Sequence, residues 1–126
     1  MTTSNNTIPN ATIPYEVVYI HAGLIKTQDG DCFMVVSIDE FTEFSFEPVV
    51  ALKPTQNEGV MKIIEKAINN ILNTRKGIPK YIVTNLDETS RPLIEMLTGR
   101  QSEVIFDDER TEKFVTPLLG KVFEGK

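Results

Sequence analysis

The hydrophobic periodicity of this chain changes once, near residue 55, and this change constrains the fold more than any other feature. Before it, three segments rich in β-branched and aromatic residues are typical of strands: EVVYIHAGLI at 16–25, CFMVVSID at 32–39 and EFSFEPVVAL at 43–52. Within 55–75, apolar residues instead recur three and four positions apart, as on the buried face of a helix. We therefore expect a strand meander that packs against one long amphipathic helix.

The segments after residue 76 alternate between strand and helix patterns. KYIVTN at 80–85 and SEVIFD at 102–107 are typical of short strands, whereas LIEMLTG at 93–99 and ERTEKFVTPLLGKVF at 109–123 are typical of helices. Pro117 lacks the backbone N–H that a helix interior needs, so it is expected to kink or interrupt the last helix. The predicted order is β-β-β-α-β-α-β-α, an α/β fold with a five-stranded mixed sheet and helices on its faces.

Local signals mark several boundaries of these elements. The Asp29-Gly30 pair predicts a hairpin turn between the first two strands. Pro48 cannot donate a ladder hydrogen bond, so the third strand is expected at an edge of the sheet or at a bulge. Thr55, followed three residues later by Glu58, resembles a capping box at the start of the long helix.

The 126 residues fit one domain, which we place at 15–126. Residues 1–14 are rich in Ser, Thr, Asn and Pro with little to bury, and are expected to form a flexible tail or linker. Cys32 is the single cysteine and lies in an apolar run, which favours a reduced, cytoplasmic setting. No apolar run approaches the roughly 18 residues of a membrane helix, so no membrane partner is expected.

The charge and the motifs restrict the function further. The formal net charge of −5 argues against strong nonspecific binding to nucleic acid, which usually requires clustered Lys and Arg. One histidine and one cysteine provide no zinc cluster and little material for a catalytic triad. The chain also lacks the glycine-rich loops that hold nucleotide phosphates. The motifs therefore predict no cofactor.

Three stretches between Val17 and Glu88 carry a family resemblance. They are VYIHAGLIKTQDGDCFMVVSIDEFTEF at 18–44, VVALKPTQNEGVMKIIEKAI at 49–68 and GIPKYIVTNLDE at 77–88. Their order and spacing resemble the catalytic core of the integrase and DDE-transposase family. In that family a first strand carries an Asp, a hairpin leads to an apolar strand that ends in Asp, and a later strand ends in Asp-Asn-Gly. The resemblance implies a ribonuclease H-like fold.

The same resemblance implies that the metal-binding site is degraded. Such enzymes use carboxylates to hold two divalent metal ions. The first family Asp falls on His21, a poor Mg²⁺ ligand, and the second on Asn85, which lacks the charge that offsets the metal's. The third residue, a Glu on a later helix, corresponds to Glu109 or Glu112. We therefore assign none of these residues as a metal ligand.

The sequence leaves other interpretations of these residues open. Asp39 survives, but the family's Asp at this position is not among its three metal-binding residues. A relocated acidic site could use Asp39 with Asp87 and Glu88, and it would require Mg²⁺. Each residue also has an ordinary structural role: His21 as a packed histidine, Asn85 as a strand-end turn residue, and Asp87 with Glu88 as a helix entry.

Three function classes follow from the sequence. The leading prediction is an integrase-like core domain of mobile-element origin, a pseudoenzyme that either binds DNA weakly or assembles with a protein of the element. The second is an active metal-dependent nuclease or strand transferase with relocated carboxylates. The third is a small protein-interaction domain unrelated to integrases. The sequence leaves the oligomeric state open, a dimer included.

Overall fold

The computed structural model describes residues 10–28, 30–54 and 56–124. Its strands and helices follow the predicted order. The strands are β1 (Val17–Thr27), β2 (Gly30–Asp39), β3 (Val49–Leu52), β4 (Tyr81–Thr84) and β5 (Glu103–Phe106). The helices are α1 (Asn57–Arg75), α2 (Arg91–Leu97) and α3 (Asp108–Glu124), and a single 3-10 turn, Glu88–Ser90, precedes α2.

The five strands form one mixed sheet in the order β3-β2-β1-β4-β5, which confirms the predicted fold class. β1 runs antiparallel to β2 and parallel to β4, and β5 is parallel to β4. The last pair between β1 and β4 joins Ile20 to Thr84. Because β1 continues to Thr27, its second half extends beyond the carboxyl end of β4.

Strand alternation divides the core of the domain between the two faces of the sheet. Val18 and Ile20 of β1 belong to the core on the face covered by α1 and α2, together with Ile64 and Ile68 of α1. Tyr19 lies on the opposite face, where Phe114 and Val115 of α3 pack against the sheet. Since successive side chains of β1 alternate, His21 shares the α3 face with Tyr19.

Several boundaries differ from the sequence prediction. β3 is limited to Val49–Leu52, although an isolated bridge pairs Ser45 with Ile38 earlier in the predicted strand. Its position at the edge of the sheet, after Pro48, agrees with the prediction. The N-cap of α1 is Gln56, which makes no side-chain capping bond. The predicted capping residue Thr55 and the turn residue Asp29 lie outside the described residues.

The expected interruption of the last helix is wrong. Pro117 lies inside α3, which continues to Glu124. A proline removes one hydrogen bond of a helix, and here the bonds on either side of it keep the segment helical. The side chain of Pro117 faces solvent, so packing against the sheet does not require a break at this position.

The predicted tail at 1–14 falls partly outside the described residues, which begin at Asn10. From Ala11 onward the segment contacts the domain. The backbone N–H of Ala11 donates to the carboxylate of Glu40, and that of Tyr15 donates to Asp39 Oδ1 at 2.9 Å. None of the described helices is both long and apolar enough to cross a membrane.

Candidate functional site

Three side chains meet where β1 passes the carboxyl end of β4. His21 comes from β1, Asn85 is the first residue after β4, and Glu112 comes from the second turn of α3. These are the three positions that the family resemblance aligns with metal ligands, with Glu112 as the third. The parallel β1–β4 pair brings the first two together, and the packing of α3 on the same face of the sheet adds the third.

Asn85 uses both ends of its amide on the backbone of one residue. Its Oδ1 accepts from the Ala22 N–H at 2.7 Å, and its Nδ2 donates to the Ala22 carbonyl oxygen at 2.9 Å. Ala22 is two positions beyond the last residue of β1 that pairs with β4. The side chain therefore takes the place of a further strand residue and satisfies two backbone groups that the end of β4 would leave open.

His21 and Glu112 form the second half of this hydrogen-bonded cluster. His21 Nε2 lies 3.0 Å from Glu112 Oε2, and Asn85 Nδ2 donates to the same oxygen at 3.3 Å. Since an ionised carboxylate can only accept, we assign the Nε2 proton as the donor. His21 is only 6% exposed, and its Nδ1 is buried with no hydrogen-bond partner among the described residues.

The environment of Glu112 favours its ionised form. The hydrogen bond from His21 is the largest effect that lowers the pKa of the Glu112 carboxyl below its ordinary value of 4.5, and the charge of a protonated His21 acts in the same direction. Thr116 and Asn85 contribute weaker hydrogen bonds. Both oxygens of this half-exposed carboxylate already accept hydrogen bonds, Oε2 from His21 and Asn85 and Oε1 from Thr116.

Glu109, the other candidate for the third position, lies elsewhere. It is exposed in the first turn of α3, where it borders a surface depression with Asp107 and Lys113. Of the two candidates, the structure brings only Glu112 to His21 and Asn85.

The residues of the relocated acidic site do not meet. Asp39 is fully buried beside Val18, at the other end of β1, and its carboxylate accepts from the Tyr15 N–H and from Thr42 Oγ1. Asp87 Oδ1 caps the 3-10 turn by accepting from the Thr89 N–H at 2.9 Å. Glu88 pairs with Arg91 at 2.8 Å.

The donors at His21, Asn85 and Glu112 do not fit the Mg²⁺ pair that the resemblance implies. Only Glu112 supplies a carboxylate, and the amide oxygen of Asn85 is directed to the backbone of Ala22. Mg²⁺ requires hard oxygen ligands in a near-octahedral arrangement, and an imidazole is unsuited to it. Within 10–28, 30–54 and 56–124, no three His, Cys, Asp or Glu side chains are grouped so that they could hold a metal ion.

Sequence reasoning missed a partly buried network that links α3 to the sheet. Tyr19 Oη donates to Glu40 Oε2 at 2.7 Å, and Arg110 Nε donates to Tyr19 Oη at 2.7 Å. Burial, followed by the nearby Glu40 carboxylate, raises the pKa of Tyr19 well above its usual range, so the hydroxyl stays protonated. Tyr19 and Arg110 are 91 positions apart, and no local sequence pattern links them.

Comparison with solved structures identifies the fold. The HTLV-2 integrase catalytic core domain in complex with magnesium, in its dimeric form, is 21% identical with a TM-score of 0.56, over 90% of this chain and 75% of that one. Its trimeric form is 19% identical with a TM-score of 0.52 and the same coverage. The chain has the fold of a retroviral integrase catalytic core. A simian T-cell lymphotropic virus intasome in complex with a PP2A regulatory subunit is 17% identical with a TM-score of 0.59, over 95% of this chain and 45% of that one.

The likeness to retroviral integrase cores is one of fold. No protein-family model matches the chain, and no curated protein matches it either. In this fold His21 and Asn85 meet Glu112, one of the two residues that the resemblance offers for the third position.

Proposed function

We propose that this chain is an integrase-like core domain of mobile-element origin that does not cut or join DNA strands. Its role is to assemble with the other proteins of the element's protein–DNA complex. The observation that carries this proposal is the closure of Asn85 on the backbone of Ala22, because it turns a would-be metal ligand into part of the sheet.

The electrostatics of the site support the loss of catalysis. Two divalent ions bring four positive charges into a small volume, and a two-metal enzyme offsets them with acidic side chains and the substrate phosphate. Here His21 and Asn85 are not acidic, and Glu112 is bonded to both. A metal ion would gain a single carboxylate here, in competition with these hydrogen bonds.

The remaining fold favours an assembly role. The sheet and its two hydrophobic cores are intact although the metal-binding set is incomplete. The domain therefore keeps its fold without a full set of metal ligands. Strong electrostatic binding to DNA is disfavoured by the net charge of −5. A folded core without metal chemistry can still present surfaces to protein partners.

Strand-cleavage and strand-transfer assays test this proposal. The natural sequence is expected to show no turnover over a range of Mg²⁺ and Mn²⁺ concentrations, and the variants His21→Asp with Asn85→Asp, and Asp87→Ala, are assayed beside it. Metal-dependent turnover by the natural sequence that Asp87→Ala abolishes would instead establish a relocated acidic site. Turnover by the double variant alone would show that the fold still supports metal-dependent catalysis once aspartates stand at positions 21 and 85.

A mobility-shift measurement with and without Mg²⁺ separates the assembly role from DNA binding. We expect no shifted band at physiological salt, because the domain is acidic. A metal-independent shift without cleavage would make DNA the partner in place of a protein.

A further inference from the structure

Among the described residues, no strand covers the outer side of β3, which is the edge strand of the sheet. Lys53 N–H donates to Asp31 O on β2 at 2.9 Å. Because the backbone groups of an antiparallel strand alternate in direction, those of Ala51 and Val49 also face β2, whereas those of Val50 and Leu52 face outward.

Two apolar side chains accompany these open backbone groups. Val50 is 50% exposed and Leu52 is 63% exposed. Val50 pairs with Met34, which belongs to the core on the α3 side, so both side chains lie on that face of the sheet. Since α3 packs over β1 and β4, it leaves the β3 end of this face uncovered.

The charges that flank β3 are arranged symmetrically about Val50. Glu47 lies three residues before it and Lys53 three residues after it, and both are exposed. In an antiparallel pair centred on Val50 that continues past the ends of β3, Glu47 of one copy would lie opposite Lys53 of the other. The segment EPVVALK at 47–53 is therefore complementary to a second copy of itself.

We propose that two copies of this chain pair through β3, antiparallel and across a two-fold axis at Val50, so that their two sheets become one continuous sheet. Val50 N–H of each copy donates to Val50 O of the other, and Leu52 N–H of each donates to Pro48 O of the other. The exposed Val50 and Leu52 side chains then cover each other on the α3 face. This inference is independent of the proposed loss of catalysis.

The prolines on either side of β3 limit this interface. Pro48 has no N–H to return a bond to Leu52, and Pro54 follows directly after Lys53. The pairing therefore spans only a few residues, and we expect a weak dimer that depends on concentration. Because the two-fold axis uses the same strand of both copies, the association closes at two and does not continue into fibres.

Sedimentation across a range of concentrations tests the dimer. Val50→Lys, which places two like charges at the axis, is expected to weaken association by roughly tenfold or more. Met96→Lys replaces a side chain that is 67% exposed on α2, away from β3, and serves as the matched control with unchanged association. Circular dichroism establishes that each variant is folded.

Charge exchange tests the partner and its orientation without changing the apolar strand. Glu47→Lys alone or Lys53→Glu alone creates like-charge pairs and should weaken the dimer by about fivefold each. The two substitutions together restore opposite charges and should restore the affinity. Failure of the double variant to recover would overturn the antiparallel register.

Cross-linking tests the axis. Val50→Cys in a Cys32→Ser background places two thiols on directly opposed residues, whose Cα atoms in such a pair are about 5.5 Å apart and within reach of a disulfide. Oxidation is expected to give a covalent dimer, whereas Met96→Cys in the same background gives none. A monomer at every concentration, or a dimer that Val50→Lys leaves intact, would refute the proposal.

Discussion

At the scale of single residues, Asn85 can do what an aspartate could not. Its Nδ2 donates to the Ala22 carbonyl at 2.9 Å and lies 3.3 Å from the Glu112 carboxylate. Asn85→Asp removes this donor and places a second carboxylate beside Glu112, so the variant should lose about 1–3 kcal/mol of stability near neutral pH. Denaturant unfolding measures this loss.

The control for this change is Asn69→Asp, the same substitution at an exposed position of α1, which is expected to change stability by less than about 0.5 kcal/mol. Equal losses in the two variants would mean that the bonds of Asn85 to Ala22 contribute nothing.

Glu112 gives the site a pH dependence with a defined sign. Because folding lowers the pKa of this carboxyl below its ordinary value of 4.5, ionised Glu112 stabilises the fold above about pH 4.5. The contribution is lost as the pH falls through the lower, folded-state pKa. The gap in unfolding midpoint between the natural chain and Glu112→Gln should therefore be present at neutral pH and shrink below 4.5.

Glu109→Gln, in the same helix but away from His21, should show no such shrinking gap. A difference for Glu112→Gln that stays constant down to pH 3 would contradict the contact between Glu112 and His21.

The positions of the family motifs in the sequence predicted which residues come together. The types of these residues could not predict which hydrogen bonds they form. The spacing of family motifs along the strands singled out His21 and Asn85 and left the third position open between Glu109 and Glu112. The double hydrogen bond of Asn85 depends on β1 running past β4, which is a property of strand lengths in three dimensions. The choice between Glu109 and Glu112 similarly required the orientation of α3.

At the scale of elements, a partly buried ion pair and its tyrosine link α3 to the sheet, in addition to the apolar packing of α3. Arg110 Nη2 lies 3.6 Å from Glu40 Oε2, and Tyr19 bonds to both residues. Arg110→Ala leaves the Glu40 carboxylate, whose side chain is 13% exposed, without its cation. We expect a loss of about 3 kcal/mol, measured by denaturant unfolding.

The matched control for α3 is Arg100→Ala, whose side chain is 81% exposed and whose loss should be below about 0.5 kcal/mol. If Arg110→Ala were equally mild, the network would not be what holds α3 on the sheet.

The order of strands and helices was predictable because the spacing of apolar residues along each long segment fits either a strand or a helix but not both. The failures occurred where a single local signal competed with tertiary packing. Pro117 signalled a break, yet α3 continues because its apolar side chains before and after the proline both pack on the sheet. The N-cap of α1 is Gln56, which makes no side-chain capping bond, and Thr55 lies outside the described residues.

At the scale of the whole molecule, the chain has the fold of an integrase catalytic core, and the site formed by His21, Asn85 and Glu112 contains one carboxylate. The two core clusters account for the fold, and neither depends on a metal ion. The cluster at the end of β4 is stabilised by its own hydrogen bonds. Aspartates in place of His21 and Asn85 should therefore cost stability unless a divalent ion is present.

This balance between stability and binding of a divalent ion can be measured as a shift in melting temperature. The variant His21→Asp with Asn85→Asp should unfold at a lower temperature than the natural chain and should regain stability with Mn²⁺. An ion at about ten times its dissociation constant would restore about 1.4 kcal/mol. The natural chain should show no such gain. An unchanged melting temperature for the double variant with Mn²⁺ would mean that the scaffold no longer supports a metal site.

The most direct measurement of the central claim is paramagnetic broadening of backbone amide signals by Mn²⁺ in the natural chain. No selective loss of the signals of His21, Ala22, Asn85 and Glu112 is expected at millimolar Mn²⁺, because the site offers one carboxylate and the Asn85 amide is bonded to Ala22. Selective, saturable broadening of these four signals at submillimolar Mn²⁺ would show that the site still binds metal, and would contradict the account.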